Sequence, residues 1–157
     1  MIPVWKLKRE LARIGQKLRM PFSLIRALVS KHFYDRNKPN LIRLIAGKIA
    51  LHPDVAIALI YQPTGLQDSL IETCRHLVSN GFSPFIVSNA PLNNHDRARL
   101  SEQSFLIMER SNFGYDFGGY RDRILHLLDV GIFPSNLLVI NHSIWFPVPD
   151  ETELIAG

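Results

Sequence analysis

At 157 residues, 46% hydrophobic and 20% charged, the chain has room for one domain or one domain plus an appendage, and its composition is globular, which excludes a disordered protein. Cys74 is the only cysteine, which excludes an intrachain disulfide framework and fits a reducing compartment. The longest apolar run, Val55 to Tyr61, is too short to cross a bilayer, and no apolar stretch of signal-peptide length follows the N-terminal basic residues, so a soluble or peripheral protein is expected.

The net charge of +4 hides a division. Residues 1–50 hold twelve Lys/Arg against Glu10 and Asp35, whereas residues 51–157 hold six Arg and twelve acidic residues. The first part is thus +10 and the second −6, which points to two regions with different surroundings.

In chain order, Val4, Leu7, Leu11, Ile14 and Leu18 recur at spacings of three and four, on one face of a predicted helix. Pro21 is expected to end that helix and open a second, with Phe22, Ile25, Leu28, Val29 and Phe33 as its apolar stripe. Asn40 is then expected to cap a third helix through Leu51, ended by His52-Pro53-Asp54.

From residue 55 the period changes. Val55–Tyr61 reads as a strand buried on both faces, and Leu66, Leu70, Thr73, Leu77 and Val78 as a helix closed by Asn80-Gly81. Strands are predicted at 85–88, 105–108 and 137–140, with helices over 93–100 and 120–130 between them. Alternating strands and helices imply a mostly parallel sheet with right-handed crossovers, whose ligands bind beyond the carboxyl ends of the strands.

The densest signal, Glu109 to Tyr120, lies where a strand hands over to a helix. Gly114, Gly118 and Gly119 permit tight turns, and the helix start offers free N–H groups to a phosphate or a sugar hydroxyl. Arg110 can pair with a diphosphate, and Asn112 or Asp116 can accept bonds from hydroxyls. A glycine-rich loop around a buried, helix-capping Asp116 explains the same spacing equally well. Tyr61, at a strand's carboxyl end, can face a nucleobase, and Trp145 beside Phe146 can stack on a sugar or fill the core. Cys74 reads as a small core residue, while His76, His95 and His126 have no metal-ligand spacing.

The run Arg110-x-Asn112-x-Gly114-Tyr115-Asp116-Phe117-Gly118-Gly119-Tyr120, followed by Asn141-x-Ser143-Ile144-Trp145-Phe146-Pro147, resembles the rhamnan synthesis protein F family. Ile60-Tyr61-Gln62-Pro63 and Val87-Ser88-Asn89 look like that family's earlier strands, so the resemblance covers residues 54–149. It implies an α/β, GT-A-like (Rossmann-like) domain over residues 54–157, with a mostly parallel sheet and flanking helices, preceded by a basic amphipathic helical region over residues 1–53. The implied activity is transfer of a sugar from a nucleotide-diphospho-sugar donor, with dTDP-rhamnose suggested, to a growing glycan or lipid-linked acceptor in rhamnan or lipopolysaccharide synthesis. The resemblance places donor binding on Asn112, Gly114 and Asp116, and Tyr61, Arg110, Asn141 and Ser143 are expected to join them.

Members of that family usually read Asn-Asp-Ser where this chain has Asn141-His142-Ser143. An Asp there would hold Mg²⁺ or Mn²⁺ on the donor diphosphate, whereas His142 is a poorer ligand for a hard cation and reads first as a histidine following a strand. No metal ligand is therefore assigned. After Pro149 only eight residues follow, so the chain resembles a donor half without an acceptor half. Asp150, Glu151 and Glu153 are available carboxylates, and none is assigned as catalytic base. The alternative is a non-catalytic remnant or partner subunit that binds another enzyme or the membrane. An unrelated nucleotide-binding α/β protein is a third reading.

For residues 1–50, three readings stay open: contact with an anionic membrane surface, attraction of nucleic acid, or docking on the acidic region. Nucleic acid is disfavoured because no recognised binding motif is present. The expected location is cytoplasmic, with a peripheral contact on the inner face of the cytoplasmic membrane.

Overall fold

The computed structural model describes residues 3–141. The chain divides into two units between Pro39 and Asn40.

The first unit is built by one helix, α1, Val4–Leu41. It runs through Pro21, where two helices were expected. Proline lacks an amide and crowds the preceding turn, yet a helix can span one such defect where neighbouring groups take up the freed carbonyls.

The second unit contains five strands: β1 (Ile42–Ala46), β2 (Asp54–Ile60), β3 (Phe82–Ser88), β4 (Leu106–Arg110) and β5 (Asn136–Asn141). Three helices join them: α2 (Asp68–Ser79), α3 (Asn94–Ser101) and α4 (Tyr115–Asp129). The sheet order is β1-β4-β3-β2-β5, parallel throughout except for β1, which runs antiparallel to β4. The protein is therefore α/β, with a mostly parallel sheet flanked by helices. The helix expected over residues 40–51 is corrected to strand β1. Its apolar residues fit either period, and the open edge of β4 selects the strand by pairing Ile42 with Arg110 through Ala46 with Leu106.

The central strands β2 and β3 are buried on both faces, as a parallel sheet covered by helices requires. On one face Ala58, Ile60 and Ile86 meet Leu70, Cys74 and Leu77 of α2 and Leu100 of α3. On the other, Ile57, Leu59, Phe85 and Met108 meet Leu127 and Tyr120 of α4. Each fully buried Leu or Ile here contributes about 1.5–3 kcal/mol.

Beyond β5 no further strand pairs among the described residues. Leu137 and Val139, opposite Val55 and Ile57 on the α4 face, stay exposed. Ile124 and Leu128 of α4 are exposed as well. No helix among the described residues is long and apolar enough to cross a membrane.

Candidate functional site

Because β2, β3, β4 and β5 are parallel, their carboxyl ends share one edge. Ile60 pairs with Ser88, Ser88 with Glu109, and Leu59 with Asn141. Tyr61, Asn89, Arg110 and Asn141 therefore border the same edge. The strand order reverses at β2, with β3 and β4 added on one side and β5 on the other. Tyr61 and Asn141 end the two strands that flank this reversal, the place where open α/β sheets receive ligands. Tyr61 is 46% exposed and Asn141 is half-buried.

Arg110 organises the loop that follows β4. Its side chain is fully buried, with Nε donating to Asp122 Oδ2 at 3.0 Å and Nη1 to Asn89 Oδ1 at 2.7 Å. Nη2 donates to the Phe113 carbonyl. A planar guanidinium with a fixed fork of donors can tie a strand end, a loop and a helix together in this way. The two glycines ahead of Tyr120 are a steric consequence. A Cβ on Gly118 would strike the Phe113 carbonyl oxygen and lie 3.0 Å from Arg110 Nη2, and one on Gly119 would strike Leu59 Cδ1. The expected role of Arg110 was to face a diphosphate, whereas its guanidinium is committed inside the protein.

The helix following this loop begins at Tyr115, five residues ahead of the expected start, so Asp116 and Phe117 lie in its first turn. Gly114 is the N-cap with φ 70° and provides no side-chain cap, and Tyr115 follows with φ 50°. A left-handed Tyr costs on the order of 1–2 kcal/mol, so the surrounding contacts hold it there. Asp116 is half-buried at the second helical position and does not cap the helix, which removes the capping explanation of the glycine-rich run. The first-turn amides of α4 lack a side-chain acceptor at the cap, and the helix dipole adds partial positive charge there. Tyr115 and Phe117 are exposed beside them.

Next to this turn, a cleft of about 400 Å³ opens between the ends of β3, β4 and β1. Asn89, Pro91, Glu109, Ser111, Asn112 and Arg43 line it. Glu109 is held by Arg97, with Nε to Oε1 at 2.5 Å and Nη2 to Oε2 at 3.1 Å. That hydrogen bond raises the Arg97 pKa above its ordinary value, so Glu109 is engaged as an ion-pair partner. Asn89 and Glu109 stand in segments the sequence marks, the strand end Val87-Ser88-Asn89 and the start of the glycine-rich run, but nothing in the sequence pairs Glu109 with Arg97 or Arg110 with Asp122.

Arg123 lies one turn behind the site. It is fully buried, over the Phe85 ring at 5.6 Å, and none of its three guanidinium nitrogens has a hydrogen-bond partner among the described residues. Burial pushes its pKa well below the ordinary value. Burial, and then Asp116, push the Tyr120 hydroxyl up. Cys74 is fully buried on the opposite face of the sheet, and desolvation raises its thiol from 9.0 to about 12.

The expected site residues fall into two groups. Tyr61, Arg110, Gly114, Asp116 and Asn141 border the strand-end edge or the first turn of α4, and Asn112 lies in the neighbouring cleft. His142, Ser143, Ile144, Trp145, Phe146, Pro147, Asp150, Glu151 and Glu153 lie outside the described residues. Among the described residues no group of three His, Cys, Asp or Glu side chains could hold a metal ion. Asn141, the described member of the segment that corresponds in position to the family's metal motif, offers a neutral amide.

A Sinorhizobium fredii protein, described as uncharacterized protein y4gN, is 43% identical to this chain over 155 residues. The match takes in 99% of the chain and 40% of that protein, so the chain spans two-fifths of the relative's length. No protein-family profile matches the chain, and no solved structure matches it.

Proposed function

We propose that this chain provides the nucleotide-diphospho-sugar-binding half of a GT-A-like glycosyltransferase domain, related to rhamnan synthesis protein F and acting in bacterial cell-surface polysaccharide synthesis. One arrangement supports the reading: the uncapped first turn of α4 stands at the strand-end edge that Tyr61 and Asn141 also border. Free amides at a helix start suit a diphosphate, and the adjoining cleft has amide and hydroxyl groups suited to a sugar or base. Arg110 acts as a positioning residue that sets this turn from beneath. Stabilisation of the leaving diphosphate falls to the α4 amides. The acceptor is a glycan or lipid-linked saccharide at the cytoplasmic side of the membrane.

The test is thermal unfolding of the purified chain against a panel of nucleotide sugars, each with and without Mg²⁺ or Mn²⁺. A ligand bound only by the folded state raises the midpoint once its concentration passes its dissociation constant. A donor-specific rise supports the reading, and no rise with any donor rejects it.

A second reading, a non-catalytic subunit that completes itself on another polypeptide, is favoured by the exposed Leu137 and Val139 on β5, whose outer edge pairs with no strand among the described residues. Transfer activity by the isolated chain would reject it.

A further inference from the structure

We infer that α1 is a surface-seeking helix that lies in the interface of an anionic lipid bilayer. At ~100° per residue, Ile14, Phe22, Ile25, Val29 and Phe33 fall within about a third of its circumference. Lys6, Arg9, Arg13, Lys17, Lys31 and Lys38 fall on the opposite side, Lys8 and Arg26 lie at the edge of the stripe, and Arg36 interrupts it. The stripe residues are exposed despite their size, with Phe22 at 75%, Ile25 at 60% and Phe33 at 60%. A stripe of this kind is unfavourable in water, and covering it needs an apolar medium.

Charge identifies that medium. The helix carries ten Lys/Arg against Glu10 and Asp35. Two copies packed along their apolar faces would turn these cations outward with nothing to neutralise them, so a second copy leaves the charge unexplained. A nucleic acid would meet the lysines and leave the phenylalanines wet. An anionic bilayer satisfies both sides, taking the apolar face at the acyl boundary and the cations at its headgroups. The helix spans about 57 Å at 1.5 Å per residue, yet it is too charged to cross a membrane, so it lies in the plane of the surface.

This inference is independent of the donor-site reading. The test is co-sedimentation of the full chain with vesicles of phosphatidylcholine alone or mixed with phosphatidylglycerol. The chain should bind the mixed vesicles, bind neutral ones weakly, and release as salt rises. A Phe22→Ser, Phe33→Ser double variant should lower partitioning by about tenfold or more, with helix content and thermal midpoint unchanged. Absence of binding to the anionic vesicles overturns the inference. So does binding that salt abolishes but the double variant leaves intact. Retardation of an RNA or DNA oligonucleotide without vesicle binding, or a dimer that the double variant dissociates, points to another occupant and likewise overturns it.

Discussion

The two units of this protein handle polar and apolar groups in opposite ways. Around Arg110, four elements of the sheet unit converge on one buried guanidinium, and the glycines beside it leave no space for a Cβ. Along α1, phenylalanine and leucine side chains stand in the open and the cations are spread along the helix. The sheet unit has its interior within itself. The helix has an apolar face that requires something outside its own unit, which is why the same residue types imply stability in one region and association in the other.

The largest effect should come from Asp122→Ala. It leaves Arg110 buried without its carboxylate, a change expected to cost about 3–5 kcal/mol in urea unfolding. If α1 and the sheet unit were held together by comparable forces, this substitution would have no privileged effect. Gly118→Ala should follow, at about 1–3 kcal/mol, because the new methyl meets a backbone carbonyl that cannot move aside, and any nucleotide-sugar-induced shift should vanish with it. Arg123→Met should act in the opposite direction, raising stability by about 1–3 kcal/mol, since it replaces a buried cation that has no hydrogen-bond partner among the described residues with an apolar side chain.

A pH dependence comes next. The folded Cys74 thiol keeps its proton up to about 12, whereas an unfolded thiol loses it near 9.0. Between those values the folded state binds more protons, so this contribution is intact below 9.0 and stability falls as pH rises through the window. The slope is at most about 1.4 kcal/mol per pH unit, and urea midpoints of Cys74→Ala compared with the parent chain should lack it. The smallest effect should be that of Phe22→Ser on α1, within about 0.5 kcal/mol of the parent in the same unfolding assay. A larger loss would mean that the helix face is packed in the free protein, and the contrast between the units would fail.

Much of the sheet unit was legible in advance. The apolar runs at 55–61 and 137–140 are read as strands because a strand covered on both faces has no polar alternation, and Asn80-Gly81 marks the end of α2 with Gly81 at φ 82°. Residues 40–51 misled because Asn40 and His52-Pro53-Asp54 mark the ends of an apolar segment without fixing its period, and the open edge of β4 lies beside it. Pro21 misled because a proline predicts a local defect and does not fix whether the helix resumes on the same axis. In the site, Gly114, Gly118 and Gly119 marked a place of close approach, but not what is approached. Their neighbours include the Phe113 carbonyl, Arg110 and Leu59, and the last meets Gly119 from 60 residues away in the sequence.

The sequence by itself determined the order of strands and helices from residue 54 onward, the division of charge, and the glycine-rich handover from β4 to α4. Each of these follows from local periodicity, turn chemistry or composition, which neighbouring residues carry among themselves. Only the tertiary structure decided that Arg110 faces inward, that Glu109 is held by Arg97, that Arg123 is buried without a hydrogen-bonding partner among the described residues, and that residues 42–46 join the sheet. Those outcomes depend on which groups meet across long separations, and burial then sets whether a charge is available to a ligand or committed to the fold.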